Sequence, residues 1–409
     1  METRKSIICG LLLSCFGLSA RAQVLTLDSV FAQVARNPSV KAYDAQINAQ
    51  DSYASGAKSL DAPRLSAGQY QTPYSLNPNT GSFMVQAEQM FTNPAKLHAK
   101  ENYQKSLAKV TAEDKNELKN QLFAQARQYY FERVILERKL ALLQHTKGLL
   151  EYMLKDANIR LTYGKEKLSN IYKAKAQLYD LDNTREQIDA NISQRNILLN
   201  TLMNRDKLTP FAVDTSFTIK DYQTAAADTA TLAVSRSDIR SIDRSIDVQQ
   251  LNARVQQSMG KPDFGLQAGH MFSYGGYPNQ YILMASVTIP IVPWASKEYK
   301  ANLKGIRYEV EELQQKRLDM LNQAAGQLAA LRAEISSRKK QFNNYRDNII
   351  PALQNSYKTA LQAYDQNTGD LPSVLSSISD LQTARMTALD RLQDISNLQV
   401  AYEKEIEKY

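Results

Sequence analysis

Two stretches of this 409-residue chain are too long to be helices of an ordinary globular domain. The first runs from Pro94 to about residue 158, with Gly148 as its one internal glycine and no further proline. The second runs from about residue 296 to 364 and carries Pro351, which predicts a kink or a split. In the first, Leu122, Tyr129, Leu136, Leu143 and Leu150 recur every seven residues, with Ala126, Arg133, Leu140, Lys147 and Leu154 as an imperfect second register. In the second, Leu321, Leu328, Ile335, Phe342 and Ile349 do the same. At about 1.5 Å per residue each would reach roughly 95–100 Å. A helix of that length has no compact core to fill, so it belongs to a coiled coil, a bundle or a helical tube. Composition agrees: 15 Gly and 12 Pro are few for the length and disfavour a loop-rich enzyme. With 43% apolar residues and a mean hydropathy of -0.45, the chain is too polar for a bundle of membrane-spanning helices. It is also too rich in aliphatic and aromatic residues for a disordered one.

The shorter segments come in a repeated order. Thr26 to Arg36 reads as an amphipathic helix, and Asn37-Pro38 opens another that runs to about Leu60, before Pro63. Two strand-like runs follow, 64–72 and 81–91, the latter with Phe83, Val85, Ala87, Gln89 and Phe91 on one face. After the first long helix, Tyr163-Gly164 makes a break. A helix over 167–205 follows, with Leu168, Ile171, Leu178, Leu181, Ile188 and Ile192 on its apolar face. Residues 206–224 read as a linker. Ser237 then opens a helix ending near Gly260, Pro262 precedes runs at 264–272 and 281–290, and the second long helix ends at Gly369. A last helix spans about 372–405. Pro38 lies 25 residues before Pro63, and Ser237 lies 25 before Pro262. Order and spacing together predict a duplication, with repeats at 23–224 and 225–409.

The first 22 residues read as a secretory signal peptide. Arg4 and Lys5 precede an apolar stretch from Ile7 to Leu18, and Ala20-Arg21-Ala22 has the form of a cleavage site. Leu12-Leu13-Ser14-Cys15 loosely resembles a lipid-attachment motif, which the good site downstream argues against. Both cysteines, Cys9 and Cys15, fall in this leader, so the mature chain has none for disulfides, redox chemistry or thiolate-bound zinc. The leader holds a net +2 of the formal +8, which leaves about +6 of mixed sign and little support for nucleic-acid binding.

Four strands per chain cannot close a sizeable barrel, and their edges would be bare unless several chains combine. Strands of about ten residues in an exported chain match an outer-membrane barrel. Their alternation within single strands is weak. Aromatics cluster near the strand ends, at Tyr70, Tyr74, Phe83, Phe91, Phe272, Tyr274, Tyr277, Tyr281 and Trp294, as an interfacial girdle would. The helices show an apolar seam among Gln, Asn, Lys and Glu, which suits a tube with solvent inside and outside.

The chain resembles the TolC-like outer-membrane efflux family over residues 25 to 405. The first repeat carries Asn37-Pro38, Pro63-Arg64-Leu65, Gln89-Met90-Phe91-Thr92-Asn93-Pro94 and Tyr163-Gly164-Lys165 with Leu168-Ser169. The second carries Val287-Thr288-Ile289-Pro290, Tyr345-Arg346 with Ile349-Ile350-Pro351, and Ala363-Tyr364 with Gly369 and Val374-Leu375. The resemblance implies a mainly α fold with a small β part, a long-helix α-barrel continuous with a transmembrane β-barrel that homotrimerisation completes. It implies a location in the outer membrane, in contact with its lipid and extending into the periplasm. The implied role is the channel of a tripartite efflux system, a passive exit duct for small solutes or metal ions. A periplasmic adaptor protein and an inner-membrane pump are the implied partners. The family often has acidic residues near the narrow periplasmic entrance. Matching on Val374-Leu375 puts Ser373 and Ser376 at those places, so that ring is not carried over. Asp365 and Asp370 lie close by as replacements, beside Gly369, although Asp370 equally reads as a helix cap. Gly164 and Asn170 occupy the comparable break of the first repeat.

No phosphate-binding loop, zinc-protease motif, dinucleotide fingerprint or EF-hand is visible. His98, His145 and His270 are far apart in sequence, and no two are spaced as a helical metal pair. Asp180, Asp182 and Glu186 read as a solvated helix face. The expectation is therefore no enzyme, no cofactor and no nucleic-acid partner. Two rivals stand beside the efflux channel: a duct for type I protein secretion, and a periplasmic coiled-coil or adaptor protein without a channel. The runs at 64–91 and 264–290 discriminate, because the second rival needs them helical or disordered.

Overall fold

The computed structural model describes residues 24–74, 79–216, 218–220, 222 and 229–408. The expected leader and parts of the expected linker lie outside the described residues. Val24–Leu25 (β1) precedes Thr26, whose hydroxyl accepts from the Ser29 N–H and caps Leu27–Val34 (α1). Asn37 caps Pro38–Gly56 (α2) in the same way, with Pro38 at the first helical position, where no N–H is needed. α2 stops short of the expected Leu60, because Gly56 is a poor helix former and the chain must extend to reach the sheet. Arg64–Tyr70 (β2) and Ser82–Phe91 (β3) form the first hairpin. Asn93 caps the 69-residue helix Pro94–Thr162 (α3), and Leu168–Leu202 (α4) runs back along it.

Next come Ala212–Val213 (β4), Thr229–Ser235 (α5) and Ser237–Ser258 (α6). Asp263–Ser273 (β5) and Gln280–Thr288 (β6) form the second hairpin. Pro293–Asn344 (α7) passes through a π-helical segment, Tyr345–Ile349, into Ile350–Asp365 (α8), and Leu371–Glu405 (α9) returns. Pro351 does not split this stretch. It has no N–H for the carbonyl of Asp347, so the preceding turn widens and the Ile350 N–H reaches back five residues to the Tyr345 carbonyl. The strand runs expected to reach 72 and 290 stop at Tyr70 and Thr288, and β5 begins one residue earlier, at Asp263.

Both hairpins join one antiparallel sheet in the order β2-β3-β5-β6. Arg64 lies opposite Glu88, Phe91 opposite Phe264, and Asp263 opposite Thr288. This register sorts the sheet into two faces far more sharply than any strand does alone. One carries Leu65 and Ala67, then Phe83, Val85, Ala87 and Phe91, then Phe264, Leu266, Ala268 and Phe272, then Tyr281, Leu283, Ala285 and Val287, with Gln69, Gln89 and His270 among them. The other is mixed: it carries Arg64, Ser66, Gln86, Glu88, Asp263, Gln267, Gln280, Ser286 and Thr288 together with Met84, Met90, Met271, Ile282 and Met284, and Gln267 donates to Gln86 at 2.8 Å. Leu65 is 76% exposed and Leu283 68%, so the apolar face is bare. The outer edges of β2 and β6 have no partner strand among the described residues.

The helices bury three separate clusters rather than the continuous seam expected. At the far end Leu143, Leu150, Met153 and Ile171 pack with Leu371 and Ile378. Midway, Leu25, Val34, Ala126, Val134, Leu199 and Phe211 pack together. The third holds Leu232, Ile239, Leu321, Leu328, Ile335 and Tyr402. Leu168 stands 52% exposed, in the first turn of α4 beyond the cluster. The expected linker is tied down in two places. β1 and β4 form a parallel pair, with Val24 opposite Ala212. Buried Glu403 of α9 accepts from Arg127 of α3, from Lys220 and from the Tyr222 hydroxyl. Burial and that carboxylate push the Tyr222 hydroxyl far above its usual titration range, so it remains a donor. Leu328 is 1% exposed, and Leu328→Ala should lower unfolding stability by about 2–5 kcal/mol. Leu208→Ala, at a residue 78% exposed, should change it by less than about 0.5 kcal/mol. Denaturation followed by far-ultraviolet circular dichroism compares the two.

Candidate gate at the helical tip

The end of the molecule farthest along the helices from the sheet is where α3 turns into α4 and α8 into α9. α3 closes on Gly164, which has φ +68°; the Lys165 N–H donates to the Arg160 carbonyl at 2.9 Å and the Gly164 N–H to Leu161 at 3.0 Å. α8 closes the same way with Asn367 at φ +57°, its next N–H, that of Thr368, donating to the Ala363 carbonyl at 2.9 Å. The left-handed residue that ends this helix is therefore Asn367, not the expected Gly369. Gly369 serves close approach instead, since a Cβ there would stand 3.0 Å from the Cβ of Ala363.

Arg160, in the last turn of α3, joins the two turns across 204 residues of sequence. It donates to the Tyr364 carbonyl at 2.9 Å and to Asn367 Oδ1 at 3.0 Å, pairs with Asp156 at 2.7 Å, and lies 4.1 Å over the Tyr364 ring. A cation at these helix C-termini satisfies carbonyls that have no intrahelical donor and complements the negative ends of both dipoles. Tyr364 is buried, and its hydroxyl donates to Glu166 Oε2 at 3.3 Å. Burial is the main reason that hydroxyl titrates well above its ordinary range, with Glu166 and Asp156 adding to it. Glu166 Oε1 in turn accepts from the Lys167 N–H and from Asn170 Nδ2, both at 2.8 Å.

Of the sequence-predicted residues, Gly164, Asn170, Asp365, Gly369 and Asp370 come together around this latch. Asn170 is buried and holds the start of α4 to the turn. Asp365 is 62% exposed, 3.5 Å from the Arg160 guanidinium. Asp370 is the N-cap of α9: its carboxylate accepts from the Ser373 N–H at 3.1 Å and from the Ser373 hydroxyl. Those bonds hold the Asp370 carboxyl below its usual range. Ser376 is exposed one turn further along α9. Arg160, Glu166 and Asn367 carry no signal in the sequence, and Tyr364 enters there only as part of the Ala363-Tyr364 motif. No group of three or more His, Cys, Asp or Glu placed to hold a metal ion occurs among the described residues, and His98, His145 and His270 stand apart and exposed. What the arrangement can do is hold two helical hairpins together or let them part.

No protein-family profile and no curated protein sequence matches the chain. Solved structures do. CusC, described for its transmembrane channel formation, matches with a TM-score of 0.76 at 14% identity, covering 94% of this chain and 92% of that one. The open state of the Neisseria gonorrhoeae MtrE outer membrane channel matches with a TM-score of 0.74 at 14% identity, covering 93% and 89%. The Campylobacter jejuni CmeC outer membrane channel matches with a TM-score of 0.71 at 16% identity, covering 93% and 85%. The likeness runs through the four-strand sheet and both long helical hairpins, so it defines the fold. The chain has the TolC-like fold over nearly its whole length, as its sequence led us to expect.

The N-cap gives a direct check. A carboxyl whose folded-state titration lies below its unfolded value stabilises above the ordinary carboxylate range and loses that stabilisation as pH falls through its folded value. Asp370→Ala should cost about 1 kcal/mol at neutral pH. It should appear as roughly five-fold faster hydrogen exchange at the amides of Ser373 to Leu375, and the difference from the parent should shrink in acid.

Proposed function

We propose that this chain is one protomer of a homotrimeric outer-membrane channel, the exit duct of a tripartite efflux system for small solutes or metal ions. One observation carries the reading. The sheet has an apolar face that none of the described residues covers, an opposite face that carries its charged and most of its polar residues, and two edges without a partner strand among the described residues. Such a sheet is not stable alone in water. It fits a barrel in which three copies contribute twelve strands, with Leu65, Val85, Leu266 and Leu283 toward lipid and Gln86, Glu88, Gln267 and Ser286 toward a wet lumen. Phe83, Phe272 and Tyr281 would then mark one interface and Phe91 and Phe264 the other. From Phe83 to Phe91 the strand rises about 26 Å, which suits the apolar band of an outer-membrane barrel once tilted.

The helices supply the periplasmic part. α3 is about 104 Å long, enough to carry a conduit well beyond the membrane. No helix among the described residues is long and apolar enough to cross a membrane, so in this reading the sheet does the crossing. Transport is passive, with energy from an inner-membrane pump joined through a periplasmic adaptor. The outer-membrane channels named above support that placement, and the same architecture would serve type I protein secretion. A channel-free coiled-coil role is disfavoured, because the discriminating runs are strands.

The tip is the gate in this reading. The Arg160 bonds to Tyr364 and Asn367 hold the α3–α4 and α8–α9 hairpins together, and opening requires them to separate. In planar bilayers the purified native assembly should give discrete conductance steps. Arg160→Ala should raise the open fraction or the step size severalfold, and Leu208→Ala should leave both unchanged. Folded assemblies that never conduct would contradict the channel, and unaltered conductance in Arg160→Ala would contradict the latch.

A further inference from the structure

The internal repeat serves as a template for the one seam that a single chain lacks. Pro63 and Pro262 stand directly before β2 and β5, and α2 and α6 begin at Pro38 and Ser237, in each case 199 residues apart. α3 and α7 begin on prolines with the same offset, Pro94 and Pro293. Arg64 opposite Glu88 in the first hairpin becomes Asp263 opposite Thr288 in the second, so the second strand is displaced by 200.

Near the sheet, helices lie side by side in the order α2, α3, α6, α7. The middle seam, α3 against α6, is therefore flanked by two free flanks, the outer sides of α2 and α7. In the middle seam Arg240 of α6 pairs with Glu113 of α3 at 2.9 Å, and the Ser241 hydroxyl donates to Asp114 at 2.6 Å. Displaced by 199 residues, Glu113 becomes Glu312 on α7 and Arg240 becomes Lys41 on α2. The acid stays on the long helix and the base on the short one. Asp114 and Ser241 become Leu313 and Ala42, so a polar contact is replaced by an apolar one. Glu312 is 61% exposed and pairs within its own helix with the equally solvent-facing Lys316 at 2.6 Å, and Lys41 is exposed, with no ion pair to Lys41 among the described residues.

The sheet gives an independent check. Ala87 opposite Ala268 and Glu88 opposite Gln267 become Val287 opposite Gln69 and Thr288 opposite Gly68. This puts Val287 on the side that also carries Leu65 and Ala67, so the apolar face remains continuous across the seam. An error of one residue would turn it inside out.

We propose that α7 and β6 of one copy dock against α2 and β2 of a second copy in the register of the repeat, with Glu312 facing Lys41 of the second copy and Thr288 opposite its Gly68. Further along, exposed Asp51 on α2 falls within a turn of exposed Lys304 on α7, while Asp44, which falls opposite Glu309, keeps its pair with Lys115 at 2.5 Å. The contact is head-to-tail and closes as a ring. It rests on the homotrimer reading above and specifies which residues of each copy meet.

The chain has no cysteine beyond Cys15, so introduced pairs report cleanly. The detergent-extracted native assembly of Lys41→Cys with Glu312→Cys should be treated with a short bis-maleimide, and its native mass measured in parallel. Linked dimers and trimers are expected on denaturing gels. The pair Lys41→Cys with Glu298→Cys, displaced about 21 Å along α7, should give at least ten-fold less linked product. A three-copy mass in which 41–312 links no better than 41–298 would overturn the register while sparing the channel. A single-copy mass from folded protein would overturn the trimer itself, and the register with it.

Discussion

A sheet that cannot finish itself is the constraint on which this structure depends. β3 and β5 are paired on both sides, while β2 and β6 each have an outer edge without a partner strand among the described residues. Unpaired edges invite partner strands, and globular proteins usually blunt them with bulges, prolines or charge. Here the apolar face is bare as well, from Leu65 on one edge strand to Leu283 and Val287 on the other. In the proposed trimer, sister copies would satisfy the edges and lipid the face. Either remedy alone leaves the other deficit in place.

The helices follow from the same constraint. Each strand is joined to a helix at the end away from its hairpin turn, so α2, α3, α6 and α7 inherit the strand order and lie side by side as a wall. A wall has two solvated sides and only a narrow line of contact between neighbours. That is why the core is divided into three clusters and why charged residues enter the contacts: Arg240 with Glu113, Arg317 with Asp243, and the Glu403 cluster. The Arg240–Glu113 and Arg317–Asp243 pairs are partly exposed and add little stability, so their value lies in fixing register, whereas the Glu403 cluster is buried and must keep all its donors. At the tip the wall ends in two turns held by Arg160, a contact made of a few hydrogen bonds and one ring face. It is a place where a small change in bonding can separate large elements.

Much of this was legible in the sequence, for reasons that can be named. The seven-residue recurrence of Leu136, Leu143 and Leu150, and of Leu321, Leu328 and Ile335, marks residues that the structure buries. Caps and prolines at Asn37, Pro38, Pro94 and Asp370 placed helix starts, because they act through local backbone geometry. What was not legible depends on contacts between distant segments. The two-residue strands β1 and β4 have no periodicity and exist only through each other. The sheet's two faces emerged from cross-strand register, since Gln69, Gln89 and His270 blur the alternation within their own strands. Asn367 took the left-handed position that Gly369 was expected to hold, and only the position of Ala363 shows why Gly369 must be small. Nothing local marks Arg160, whose partners Tyr364 and Asn367 come from the other half of the chain.

Protection of the edge strands tests the central claim most directly. In lipid, hydrogen–deuterium exchange at Arg64–Tyr70 and Gln280–Thr288 should be as slow as at Ser82–Phe91 and Asp263–Ser273, because neighbouring copies would pair those edges. Fast exchange confined to the two edge strands, with the inner pair protected, would show that the sheet stays open and that no cylinder forms.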